Sequence, residues 1–217
     1  MSFYKHVVFD LDGTLVDSLP DIGGSINTIL EREGHPSHPI ADYASWVGWG
    51  LKRTLELALP SPEFLESLYP ALLEEYMRRP YRDSQVYSGV IELLCSLQNL
   101  GVTTTIWTAK NESIAQAVVS ALLPQFSGTV VGQREGQPAK PSPELVFEAW
   151  GADRSAQKPI LMVGDTVTDL KSAQAIEAEF AGALWGYRSR KELESAGSQN
   201  NFTTPMHLCR QYFGGTQ

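Results

Sequence analysis

The sequence predicts an α/β protein: a three-layer parallel sheet flanked by helices, with a small α-helical block inserted after the first strand. Three features of its 217 residues carry that reading. Val7-Val8-Phe9 is a short, β-branched apolar strand that runs straight into polar residues, as buried parallel strands do. From Val86 onward strand-like and helix-like segments alternate with short connections, the pattern of β-α-β units in a sheet covered on both faces. Between the two, only helical periodicity occurs, which marks an insertion and not a continuous sheet. Residues 1–16 and 86–217 are therefore expected to form the core and residues 17–85 the helical domain, joined through residues 16–19 and 82–88.

The first helix opens at Ser18, Pro20 and Asp21: a hydroxyl cap, a first-turn proline and a carboxylate at the positive helix end. Ile22, Ile26, Ile29 and Leu30 recur at helical spacing until Gly34 stops the run. Residues 39–46 and 51–59 fit two more helices. Ser61-Pro62-Glu63 opens a fourth carrying Leu65, Leu68, Leu72 and Tyr76, which Pro70 is expected to kink or split. In the second half, Val90, Leu93, Leu94 and Leu97 mark a helix ended by Gly101, and residues 102–107 form a β-branched strand. Ile114, Val118 and Leu122 lie on the next helix, residues 129–131 form a short strand, and Ser142-Pro143-Glu144 opens another helix. A strand at 159–163, a helix at 167–176 and a strand at 180–185 precede one or two C-terminal helices.

The net charge of -8 and pI near 5.0 argue against a general affinity for nucleic acid or anionic membrane, both of which require a cationic surface. An acidic protein that handles an anionic substrate must build its positive field locally. Cys95 and Cys209 are far apart and form no metal or redox pattern, and the four histidines form no ligand-spaced set. Asp10 and Asp12 interrupt any leader-like apolar run, and no stretch approaches membrane-spanning length, so a cytoplasmic location is expected.

Residues i and i+2 of an extended chain face the same way, so Asp10 and Asp12 address one point beyond the first strand. Two carboxylates so placed repel unless a cation sits between them or one keeps its proton. Alone, Asp-x-Asp is more often an acidic turn, and Asp12-Gly13 is a common turn signal. Three more polar clusters fall at expected strand ends. Thr108-Ala109-Lys110-Asn111 places a hydroxyl and free backbone N–H groups at a helix start, which makes an anion site, although threonine there is commonly just a cap. Ala139-Lys140-Pro141-Ser142-Pro143 carries a lysine on a loop stiffened by two prolines, whereas most loop lysines are solvated. Met162-Val163-Gly164-Asp165 is an apolar strand ending in an acid, with Asp169 four residues on; by itself Asp165 reads as the cap of the next helix.

The four clusters, with the first extended to Asp10-Leu11-Asp12-Gly13-Thr14-Leu15-Val16-Asp17-Ser18, resemble in order and position the motifs of the haloacid dehalogenase (HAD) superfamily of phosphotransferases. The resemblance covers most of the core and implies a Rossmann-like HAD fold whose helical insert is a cap. Asp17-Ser18-Leu19-Pro20-Asp21-Ile22, Trp46-Val47-Gly48-Trp49-Gly50 and Tyr87-Ser88-Gly89-Val90 further resemble the phosphoglycolate phosphatase-like subfamily. That subfamily usually has Asn where Ala109 stands and Pro where Ser88 stands, so at Ala109 only the backbone N–H remains as a donor.

The resemblance implies that Asp10 is the nucleophile, forming an aspartyl-phosphate, and that Asp12 is the general acid and base. It implies phosphoryl binding by Thr108, the N–H of Ala109 and Lys140. Mg²⁺ would be held by Asp10, the backbone carbonyl of Asp12 and Asp165, with Asp169 orienting Lys140 or a metal-bound water. The partner implied is a small phosphate monoester such as 2-phosphoglycolate. Because the core groups all address the phosphoryl unit, the rest of the substrate would be read by the cap, where the Val47-to-Arg53 stretch is placed at the mouth. There Trp49 would exclude solvent and Lys52 or Arg53 would meet a carboxylate. A β-phosphoglucomutase-like transferase and a phosphonatase-like hydrolase share the same core motifs. A non-catalytic binding protein on this fold would be expected to have lost a catalytic acid, and none is missing. The protein is expected to work as a monomer or homodimer.

Overall fold

A computed structural model describes residues 4–151 and 158–214. β1 (His6–Phe9) leads through a tight turn into the short β2 (Val16–Asp17), after which the chain becomes helical. α1 (Leu19–Arg32), a 3-10 turn at Ile40–Ser45, α2 (Leu51–Ala58), a second 3-10 turn at Pro62–Phe64 and α3 (Leu65–Arg78) make up the insert. β3 (Gln85–Val86) returns the chain to α4 (Val90–Asn99), β4 (Thr103–Asn111), α5 (Glu112–Leu122), β5 (Thr129–Gln133) and α6 (Glu144–Trp150). β6 (Ile160–Gly164), α7 (Val167–Ala175), β7 (Glu179–Ala183), α8 (Arg190–Ser195), β8 (Asn201–Phe202) and α9 (Pro205–Phe213) complete it.

The main sheet has the order β5-β4-β1-β6-β7-β8, and every pairing in it is parallel. Alternation along the strands divides the core into two layers. Val7, Phe9, Ile106, Leu161 and Val163 pack on one face with the apolar sides of α4, α5 and α9. Val8, Trp107, Ile160 and Met162 point the other way, onto Leu145 and Val146 of α6 and Leu170 and Ala173 of α7. The first layer continues without a break into Ile26, Leu55 and Leu72 of the insert. No helix among the described residues is long and apolar enough to cross a membrane.

Several local expectations change. The two connections read as linkers pair with each other, Val16 opposite Val86 and Asp17 opposite Gln85, as an antiparallel ribbon. Strands of two residues are too short to show a period of two. Ser18 sits at the N-cap of α1, but its hydroxyl caps nothing, since it donates to Asp12 instead. Residues 40–45 wind as a 3-10 turn with only Tyr43 buried. α3 is not split by Pro70. The carbonyl that loses its helical N–H donor to the proline is that of Glu66, four residues earlier and on the exposed side, while Leu68, Leu72 and Tyr76 anchor the opposite face. β4 runs past Trp107 to Asn111, with an irregular register in which Trp107 pairs Val131 and Asn111 pairs Gln133. Four steps on β4 match two on β5, so Thr108–Lys110 bulges from the strand end.

Candidate active site

The chain winds from β1 toward β4 and β5 on one side, then from β6 toward β7 and β8 on the other. A sheet of this kind places its site where the winding reverses, outside the carboxyl ends of the strands. Asp10 follows β1 directly, and its N–H donates to the Val163 carbonyl of β6 at 2.9 Å. The turn after it depends on glycine at residue 13: φ is +89°, and a Cβ there would lie 2.4 Å from Oδ2 of Asp165. This close approach brings the end of β6 against the first turn.

Asp10 and Asp12 are both buried, yet each has its own lysine. Nζ of Lys140 donates to Asp10 Oδ1 at 2.8 Å, to Asp169 Oδ1 at 2.6 Å and to the Trp107 carbonyl at 2.8 Å. Nζ of Lys110 donates to Asp12 Oδ1 at 2.5 Å, and Ser18 Oγ donates to the same oxygen at 2.6 Å. Burial pushes the Asp10 carboxyl well above its ordinary range; Lys140 pulls it back, and Asp169, Asp165 and Asp12 push it up again. Asp165 is pushed up to about 7, by burial first and Asp169 second, against the Tyr187 N–H and Thr14 hydroxyl that bond it. For both lysines burial works against the charged form, but the carboxylates beside them more than offset it, so both stay protonated.

The remaining groups sort themselves by contact. Thr108 is buried on the β4 bulge, where its Oγ1 accepts the Lys110 N–H. Asn111 caps α5, accepting from the N–H groups of Ser113 and Ile114, so Thr108 is not the cap. Asp165 does not cap α7 either; Thr166 does, in a reciprocal box with Asp169. Asp10, Asp12, Thr108, Ala109 and Lys110 line one small cavity, closed from above by Val47, Gly48 and Gly50. Lys140 is not part of its lining and lies behind Asp10.

A divalent cation fits this donor set. Carboxylate oxygens of Asp10, Asp165 and Asp169 lie within 4.8 Å of one another. With Asp12 they make four buried acids against two buried lysines, which leaves two negative charges to balance when all are ionised. Asp169 is the poorest ligand of the three, because Lys140 and both the N–H and hydroxyl of Thr166 already occupy its oxygens. The Asp12 side chain is likewise engaged, by Ser18 and Lys110.

Known proteins resemble this chain over most of its length. Residues 7–183 match the family described as haloacid dehalogenase-like hydrolase. This chain belongs to that family. A phosphoglycolate phosphatase of Caulobacter vibrioides is 31% identical over 199 residues, covering 88% of this chain and 84% of the relative. One of Xanthomonas campestris is 31% identical over 191 residues, covering 87% and 86%. Among solved structures, a haloacid dehalogenase-like family protein of Streptococcus pneumoniae superposes with a TM-score of 0.84 at 22% identity, covering 98% of this chain and all of the other. A hydrolase of Pseudomonas syringae gives 0.71 at 24% identity, covering 95% and 97%. These structures share the fold.

In this haloacid dehalogenase-like hydrolase the insert meets the strand ends through residues 47–50. Gly48 packs on Thr166, 3.0 Å from its Cγ2 to the place of a Cβ, and Gly50 lies against the Ala109 carbonyl. Trp49 is half exposed and sits beside a second, larger cavity, which Lys52 also lines. Lys52 is tied to Glu66 at 2.7 Å. Arg53 pairs with Glu56 at 2.5 Å and lines neither cavity, so the geometry does not bring it to the mouth.

Besides Lys110, three residues make contacts that had no sequence signal. Asp21, expected to serve the α1 terminus, accepts from the N–H groups of Asp83 and Ser84 and from the Ser84 hydroxyl, tying the two ends of the insert together. Tyr187 bonds Asp165 through its N–H, while its hydroxyl reaches Ser18 and Asp17 at the β2 connection. Arg188, next in the chain, donates to the carbonyls of Ala44, Ser45 and Val47 and so clasps the insert to the core.

Proposed function

We propose that the protein is a Mg²⁺-dependent phosphatase that transfers the phosphoryl group of a phosphate monoester to Asp10 and then to water. The observation that carries this reading is the separate environment of two buried acids on one small cavity, Asp10 beside Lys140 and Asp12 beside Lys110 and Ser18. Asp10 attacks phosphorus through the oxygen that Lys140 does not hold, and the ester oxygen leaves. Asp12 gives that oxygen a proton and later takes one from the water that attacks the aspartyl-phosphate. Ser18 and Lys110 both bond Oδ1 of Asp12, which fixes the carboxyl and leaves Oδ2 for the transfer. Thr108 and the Ala109 N–H, presented on the bulge, bind the other phosphoryl oxygens. Lys140 offsets negative charge beside Asp10 and is oriented by Asp169.

Asp10 and Asp165, with the Asp12 carbonyl, are the groups that would hold Mg²⁺. Bound there, the ion supplies positive charge beside the nucleophile and the transferring group. Residues 17–85 act as a cap over the cavity, working from the β2–β3 ribbon and excluding water from the phosphoryl site. The named relatives make 2-phosphoglycolate the first ester to assay. Phosphate release from p-nitrophenyl phosphate should need Mg²⁺, stop with EDTA and return when Mg²⁺ is restored. Full turnover in excess chelator would remove the metal from the mechanism, and no release under any condition would remove the phosphatase reading.

A further inference from the structure

The cavity on Asp10 and Asp12 has a volume of about 30 Å³. That is far less than the volume of a typical small-molecule site, so little of a leaving group fits there beside the transferring unit. A second cavity of about 410 Å³ adjoins it, and Gly50, Leu51, Tyr76, Ala109 and Lys110 line both. Its size lies in the range of small-molecule sites. Its broad walls are Trp49, Tyr69, Leu73, Tyr76 and Ile114, aromatic and aliphatic surfaces that suit an apolar ring face.

The charges around it point the same way. Lys52 is bonded to Glu66 at 2.7 Å and Lys110 to Asp12 at 2.5 Å, so each cation on the wall already serves an acid. Glu135, also on the wall, has no ion-pair partner among the described residues. A substrate carboxylate entering this space would face Glu135, find the buried Lys110 held by Asp12, and meet at Lys52 only an exposed ammonium already shared with Glu66, a pairing worth little in water.

Building on the phosphatase reading above, we infer that the outer cavity is the leaving-group site and that it selects phosphate monoesters of uncharged, ring-sized alcohols with an apolar face over short anionic ones. Glu135 acts against carboxylates, which is specificity by exclusion as well as by fit. This sets the chain apart in substrate from the phosphoglycolate phosphatases it is similar to in sequence.

Three alkyl esters separate charge from size: 2-phosphoglycolate, propyl phosphate, which nearly matches it in shape without the carboxylate, and benzyl phosphate, which adds the ring. With Mg²⁺ present, kcat/KM should rise in that order, and benzyl phosphate should exceed 2-phosphoglycolate at least tenfold. Glu135→Lys should raise the ratio of 2-phosphoglycolate to propyl phosphate severalfold, and Tyr69→Ala should lower the ratio of benzyl to propyl phosphate severalfold. A wild-type preference for 2-phosphoglycolate over both neutral esters overturns the inference while leaving the phosphatase reading intact. So does a Glu135→Lys variant whose ratio stays at the wild-type value. Hydrolysis of none of the three, nor of p-nitrophenyl phosphate, overturns both.

Discussion

Cationic side chains of the core and of the insert show how differently one charge is used in the two regions. Lys140 and Lys110 are buried, and between them they bond Asp10, Asp169, Asp12 and a backbone carbonyl. Lys52 and Arg53 of the insert reach single glutamates at the exposed surface. The core holds its groups to one geometry, which suits a reaction that must be repeated identically. The insert presents walls and exchangeable charges, which suits the choice of what reacts.

The largest effect that would sharpen this contrast is at the nucleophile. Asp10→Asn removes the attacking charge at nearly constant volume, and kcat should fall on the order of 10⁴-fold or more with the circular dichroism spectrum unchanged. Asp12→Asn should cost about 10²–10⁴-fold on alkyl esters and less on p-nitrophenyl phosphate, whose leaving group needs less help from an acid. Wild-type turnover by either variant, in steady-state assays, would break the assignment of chemistry to the core.

Stability should divide along the same line. Lys140→Ala leaves two buried carboxylates facing each other, and chemical denaturation should show a loss of about 3–5 kcal/mol. Lys52→Ala, which breaks an exposed pair, should leave the melting temperature where it was. If both variants melt alike, the contrast between the two lysine environments is wrong.

These assignments were unequally legible. Asp10, Asp12, Thr108 and Asp165 could be singled out because each follows an apolar run that ends, and a strand end fixes where its next side chains point, whereas Lys140 was marked only by the prolines that stiffen its loop. Five strands of the parallel core followed from the same alternation, since burial on both faces leaves nearly continuous apolar strands, whereas β8, two residues long, falls where only helices were expected. Lys110 could not be read, because its meaning depends on Asp12, 98 residues away, and on the bulge that turns it inward. Asp21 and Ser84 meet across 63 residues, and Arg188 reaches Ala44 across 144, through contacts that exist only once the sheet and insert are folded. Trp49, Lys52 and Arg53 share one stretch of sequence, but the helical turn sends Arg53 to another face.

Arg188 joins the two regions, and a smaller effect is expected there. Arg188→Ala removes three bonds to insert carbonyls without touching Asp10 or Asp12. KM should rise severalfold with kcat changed less, and hydrogen exchange should quicken in residues 40–50. Unchanged exchange would show that the insert is held by other contacts.

The smallest expected effect is the dependence of metal stabilisation on pH. Burial raises the carboxyls of Asp10 and Asp165, the latter to about 7, so the folded metal-free protein binds protons more tightly than the unfolded chain. That contribution is favourable below the ordinary carboxylate range and is lost as pH rises from about 4 to 7. Mg²⁺ competes for the same oxygens, so the increase in melting temperature it produces should be larger near pH 8 than near pH 5. An equal shift at both would mean that the ion binds elsewhere.

The account stands most directly on a covalent bond between phosphorus and Asp10. During turnover of a phosphate monoester with Mg²⁺, rapid quenching into borohydride should reduce an acyl phosphate to the alcohol. Peptide mass spectrometry should then find homoserine at residue 10 and at no other aspartate, with the yield increased in Asp12→Asn, where hydrolysis of the intermediate is slowed. Homoserine at another position, or active turnover that leaves every aspartate unreduced, would contradict it.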